Sequence, residues 1–140
     1  MPKKILVVDD EPHIVKMVES RLKANGYEVI IAYDGQEAVE KVNSDMPDLI
    51  VLDLLLPKID GYMVSDMLKQ EEKYKNIPIV MLTARAGYED MKKGLEIGAI
   101  AYLTKPFKAE VLLGIIAGAM GDRSVMKTAS KEKIDEAKIS

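Results

Sequence analysis

The chain has no cysteine, no excess of basic charge and no apolar run long enough to cross a bilayer. Without cysteine there is no disulfide framework and no thiolate metal site, which fits a reducing compartment, so a cytoplasmic location is expected. Acidic residues outnumber basic ones by 23 to 20, for a formal net charge of -3, which excludes an electrostatic footprint for nucleic acid spread over the domain. The longest apolar run, Val111 to Met120, is about half of the ~20 residues a membrane-spanning helix needs. The apolar stretch after Lys3-Lys4 is too short for a secretory signal, so no membrane association is expected. No repeat at solenoid periods is present.

What is there is a core and a pattern. At 140 residues, 48% hydrophobic and 31% charged, the chain suits one domain. Three hydrophobic runs each stop on a residue able to do chemistry: Ile5-Leu6-Val7-Val8 on Asp9-Asp10, Leu49-Ile50-Val51-Leu52 on Asp53, and Ile100-Ala101-Tyr102-Leu103 on Thr104-Lys105-Pro106. Runs of this kind read as strands buried on both faces of a parallel sheet, and ligands collect beyond the carboxyl ends of such strands.

Strand-like and helix-like segments alternate at βα spacing, with room for five such units. The first strand is expected over Lys3 to Asp9, followed by a helix from Pro12 with Ile14, Val15, Val18 and Leu22 on its buried stripe and Asn25-Gly26 at its end. Tyr27 to Ala32 reads as the second strand. Asp34 is placed to cap the next helix, with Glu37 three residues later completing a capping box. After the third strand come the turn residues Pro57 and Gly61, then a helix on Met63, Val64, Met67 and Leu68. Ile77 to Leu82 is the fourth strand, ending at Thr83. Met91, Leu95 and Ile97 mark a fourth helix stopped by Gly98, the fifth strand runs to about Thr104, and a last helix follows Pro106.

The expected fold class is therefore α/β, a doubly wound five-stranded parallel sheet. Right-handed crossovers and a flavodoxin-like strand order of 2-1-3-4-5 would make the first and third strands neighbours and bring Asp9, Asp10 and Asp53 into one pocket. Two carboxylates ~4 Å apart repel by roughly 4 kcal/mol at an effective dielectric near 20, so such a cluster requires a cation or a proton. An all-oxygen set open to water suits Mg²⁺, which keeps several waters and accepts a phosphate oxygen as a further ligand.

Four blocks, LVVDDE, DLIVLDLLLPKIDGY, PIVMLTAR and GAIAYLTKPF, stand in this order over about Lys3 to Met120. In them the chain resembles the receiver domain of two-component response regulators. The resemblance implies that Asp53 is the phosphoacceptor, loaded by a sensor histidine kinase, and that Asp9, Asp10, Asp53 and the backbone carbonyl of Leu55 hold Mg²⁺. It also implies catalytic roles for Thr83 and Lys105 and a cis peptide bond at Lys105-Pro106. On the same basis Thr83 moves toward the phosphoryl group and Tyr102 turns into the space vacated, repacking the face of the fourth helix, fifth strand and fifth helix toward a downstream protein effector. Such a domain is a phosphoacceptor that catalyses its own phosphorylation and dephosphorylation rather than a turnover enzyme.

The residue types suit that chemistry. A carboxylate attacks phosphorus to give an acyl phosphate, and transfer then needs mainly positioning and charge neutralisation. Ala84 is small enough to leave room for the phosphoryl group. Leu55 and Arg85, two residues beyond Asp53 and Thr83, would exclude water and cover the anion, so slow self-dephosphorylation is expected. A haloacid-dehalogenase-like phosphohydrolase uses similar groups but wants a second acid where this chain has Leu55. A flavin carrier on the same fold would need a phosphate-cradling loop of Ser, Thr and Gly where this chain has Asp9-Asp10-Glu11.

Other features have plainer readings. His13, the single histidine, is expected on the surface. Met63, Met67, Met81 and Met91 fit core packing. The uninterrupted apolar run Val111 to Met120, with Gly114 and Gly118 at small-xxx-small spacing, should leave one face of the last helix uncovered, for the chain's own tail or for a homodimer or docking partner. Residues 1–120 are thus expected to be the receiver domain. The stretch 121–140, with five basic and four acidic residues, is expected to be a helical or disordered tail too short for a DNA-binding output domain.

Overall fold

The computed structural model describes residues 2–84, 92, 96 and 98–121. Strands β1 (Lys4–Val8), β2 (Glu28–Ala32), β3 (Leu49–Asp53), β4 (Ile79–Thr83) and β5 (Ala101–Thr104) form one sheet in the order β2-β1-β3-β4-β5, every pairing parallel. The described residues include the helices α1 (Pro12–Ala24), α2 (Gly35–Asp45), α3 (Gly61–Lys69) and α4 (Ala109–Met120). The helix expected on Met91, Leu95 and Ile97 falls on residues outside those described, as does the tail from 122 onward. Tyr27 and Ile77, expected inside strands, precede them, and Asp9 follows β1. Among the described residues no helix is long and apolar enough to cross a membrane.

Alternation along the strands divides the core into two layers. Ile5, Val7, Leu49, Val51, Val80 and Leu82 face α1 and α4, where they meet Val18, Leu22, Leu112 and Ile116. Leu6, Val8, Ile50, Leu52, Ile79 and Met81 face the other way, onto Ala38 and Val42 of α2 and Val64 and Leu68 of α3. Burial on both faces is why the strands are continuously apolar rather than alternating.

One packing expectation is corrected. Met63 and Met67 are exposed, at 53% and 44%, because the buried stripe of α3 runs through Gly61, Val64, Ser65 and Leu68 and the methionines lie one position to its side. Met81, in β4, is fully buried as expected, and Met91 lies outside the described residues. Most of α4 is buried. Val111, Leu112, Gly114, Ile115, Ile116 and Ala117 are all buried, and Leu113 and Met120 pack against the same core layer, so its composition reflects burial on more than one side.

Local chemistry sets the loops that carry the site. Asp34 caps α2 by accepting from the Glu37 amide at 2.8 Å, and Glu37 reaches back to the Tyr33 amide at 3.0 Å, one residue beyond the usual capping-box partner. Asp60 caps α3 by accepting from the Met63 amide at 2.9 Å. The loop between β3 and α3 is pressed between these two helix starts. A Cβ at Gly61 would stand 2.4 Å from the Asp53 carbonyl oxygen, and one at Gly35 would stand 2.0 Å from that of Ile59. Only glycine permits either approach.

Candidate functional site

Register explains how residues far apart in sequence converge. Val8 pairs with Leu52, so the next residues, Asp9 and Asp53, leave neighbouring strands side by side. Asp53 itself pairs with Leu82, and Thr83 with Thr104, which places Thr83 and then Lys105 along the same rim. The Lys105 amide donates to the Thr83 carbonyl at 2.7 Å, and the Lys105-Pro106 bond is cis, as the resemblance implied. Asp9, Asp53 and Thr83 are buried, whereas Asp10 lies at the open edge.

Acid oxygens of Asp9, Asp10, Glu11 and Asp53 come within 4.8 Å of one another. Lys105 answers that concentration of charge: its Nζ lies 2.7 Å from Asp9 Oδ2, 2.8 Å from Glu11 Oε1 and 3.2 Å from Asp53 Oδ2. One ammonium shared by three carboxylates shows that the cluster draws in cationic charge. The remaining oxygens are fixed by the backbone, since Asp9 Oδ1 accepts from the Glu11 amide at 3.0 Å and Asp53 Oδ1 from the Leu55 amide at 3.2 Å. Asp10, Glu11, Asp53, Leu55, Ala84 and Lys105 line a cleft of about 260 Å³ open to solvent. Oxygen donors at the mouth of a wet cleft match the preference of Mg²⁺, and the residues present fit that ion.

The electrostatics follow from burial and neighbours. Burial, then the charge of Asp9, raises the Asp53 carboxyl to about 6 against the opposing effects of Lys105 and the Leu55 amide. Burial alone would lower Lys105, but its hydrogen bonds to Asp9 and Glu11 and the charges of Asp53 and Asp9 push it above the ordinary lysine value. The hydrogen bond from Lys105 holds Glu11 below the usual carboxylate range.

The sequence profile of the response regulator receiver domain matches residues 5–117. The chain belongs to that family. As a receiver domain it is part of two-component signalling, and its relatives agree. It is 43% identical over 136 residues to the alkaline phosphatase synthesis transcriptional regulatory protein PhoP of Bacillus subtilis, covering 97% of this chain and 56% of PhoP. The receiver domain thus spans about half the length of that relative. The solved structure of the chemotaxis response regulator CheY4 of Vibrio cholerae superposes with a TM-score of 0.80 at 35% identity, over 85% of this chain and 99% of that one. The receiver domain of the sensor histidine kinase PA1611 of Pseudomonas aeruginosa, solved with magnesium in its active-site cleft, gives 0.79 at 34% identity, over 86% and 99% of the two chains.

Asp9, Asp10, Asp53, Leu55, Thr83, Ala84 and Lys105, singled out from sequence, are brought together at this rim. Tyr102 is fully buried, in the core layer that also holds residues of α2 and α3. Arg85 lies outside the described residues. His13 is exposed, 3.6 Å from Glu11. Glu11 was missed as a member of the site. Its signal was position, between the acid pair and the helix-starting Pro12.

Proposed function

We propose that this receiver domain accepts a phosphoryl group on Asp53 from the phosphohistidine of a sensor histidine kinase, in a reaction that needs Mg²⁺. The observation that carries the reading is Asp53 Oδ2 held 3.2 Å from Lys105 Nζ beside two further acids at the mouth of a cleft. Asp9, Asp10, Asp53 and the Leu55 carbonyl would hold the ion. Bound there, Mg²⁺ supplies charge neutralisation for the acids and for the transferred group. Asp53 provides the attacking oxygen, its other oxygen fixed by the Leu55 amide. Lys105 neutralises a phosphoryl oxygen, and the Thr83 hydroxyl, buried at the end of β4, donates to another. The chain thereby catalyses its own phosphorylation, and its own dephosphorylation slowly, because Leu55 lends the cleft an apolar wall and Arg85 follows two residues after Thr83.

Output rests on a population shift. Phosphorylation draws Thr83 toward the phosphoryl group, Tyr102 turns into the space vacated, and the shift favours the surface around the helix expected on Met91, Leu95 and Ile97, β5 and α4 that engages a downstream protein effector or a second copy. With α4 largely covered, a homodimer through that helix would use Leu113, Ala119 and Met120, which keep some exposure. A cytoplasmic location fits the absence of cysteine.

Intact-mass measurement after incubation with acetyl phosphate tests the reading. A gain of one phosphoryl group is expected with Mg²⁺, none with chelator, and none in Asp53→Asn. Phosphorylation of Asp53→Asn to the same extent would overturn the assignment.

A further inference from the structure

Glu11 stands at the N-cap position of α1, yet its side chain makes no capping hydrogen bond. Glutamate is a poor cap, and a serine or aspartate would serve the helix better. Its carboxylate instead turns to Lys105, 94 residues away in sequence, at 2.8 Å, while its amide is tied to Asp9 Oδ1. Glu11 is thus aimed across the cleft that an incoming phosphoryl group must enter.

The acids around Lys105 differ in what else they do. Asp9 and Asp53 are buried and, on the reading above, belong to the metal set, whereas Glu11 is 45% exposed at the side chain and is not needed there. Once a divalent ion draws on Asp9, Asp10 and Asp53, Glu11 is the carboxylate that Lys105 keeps. We propose that Glu11 is a resting-state latch on Lys105, occupying the ammonium until a phosphoryl oxygen displaces it, and so a brake on phosphoryl capture. This rests on Asp53 being the acceptor.

The chemistry gives the direction. An Asp53 oxygen bonds to phosphorus while the bond from phosphorus to the donor breaks: with acetyl phosphate a P–O bond breaks and its electron pair leaves on acetate, with phosphohistidine a P–N bond breaks and the pair returns to the imidazole. Charge on the transferred group's oxygens needs Lys105, whose ammonium is partly neutralised by Glu11. The Glu11 carboxylate also repels the anionic donor at the cleft mouth. Both effects slow capture, and both vanish in Glu11→Gln, which keeps the shape and removes the charge.

The test compares the parent chain, Glu11→Gln, and Glu28→Gln as a control that removes one exposed acid from the opposite end of the sheet. With Mg²⁺ and acetyl phosphate, Glu11→Gln should be phosphorylated about three- to tenfold faster than the parent, with the advantage shrinking as ionic strength rises. Its affinity for beryllofluoride, read by fluorine NMR without any turnover, should rise by a similar factor, and Glu28→Gln should match the parent. A Glu11→Gln rate at or below that of a phosphorylated parent, or an equal gain in Glu28→Gln, overturns the latch alone. A parent chain that neither gains mass nor binds beryllofluoride overturns the acceptor reading and the latch with it.

Discussion

Asp53 is pulled in opposite directions by its surroundings, and its stability linkage records the balance. Burial, then the charge of Asp9, pushes its carboxyl up from the ordinary 3.8 to about 6 in the folded chain, so the folded state holds the proton more tightly. The stability tied to that proton is complete below pH 3.8 and is lost as the pH rises through 6. Asp53→Asn should therefore stabilise the metal-free protein at about pH 8 by something on the order of 2 kcal/mol. Urea denaturation in chelator at several pH values checks this, and a variant no more stable than the parent at alkaline pH would contradict it. Methionines give a second contrast at this scale. Met81→Ala should cost roughly 2–4 kcal/mol, being fully buried, whereas Met67→Ala should stay within about 0.5 kcal/mol.

At the scale of elements, α3 is held by two independent devices. The Asp60 cap is worth about 1 kcal/mol, so Asp60→Ala should lower the urea midpoint without altering the slope. Gly61→Ala is a different case, since its Cβ would meet the backbone of the very residue that carries the nucleophile. A loss of roughly 2–3 kcal/mol is expected, together with weaker Mg²⁺ binding by calorimetry, because the loop that aligns Asp53 and Leu55 has to shift. Asp60→Ala, which leaves that backbone in place, should bind Mg²⁺ as the parent does. The Asp34 cap and the turn residue Gly61 were legible from sequence because their signals are local, whereas the Asp60 cap was not read there. The orientation of α3 was not, because Met63, Val64, Met67 and Leu68 satisfy helical spacing whether or not the methionines point inward.

For the molecule as a whole, the acid cluster couples folding to divalent cations. A ligand bound only by the folded state stabilises it by about 2.7 kcal/mol at one hundred times its dissociation constant. Mg²⁺ should accordingly raise the melting temperature near neutral pH, and the rise should be much reduced in Asp9→Asn, whose carboxylate is buried in the cluster. Equal thermal shifts in parent and variant would place the ion elsewhere. The two-layered core explains why the rim can carry this charge, since apolar packing on both faces of the sheet fixes the strand ends against the repulsion of the acids.

The sequence alone determined the order of elements, the strand ends at which chemistry collects and the identity of the acids and lysine, because strand burial, turn chemistry and residue type are written locally. Only the tertiary structure decided that Lys105 bridges Asp9, Glu11 and Asp53, that Glu11 faces the cleft instead of capping α1, that Tyr102 is fully buried and that most of α4 is buried. Each of these depends on contacts between segments far apart in the chain. Periodicity says which residues share a face, but only packing says what that face meets.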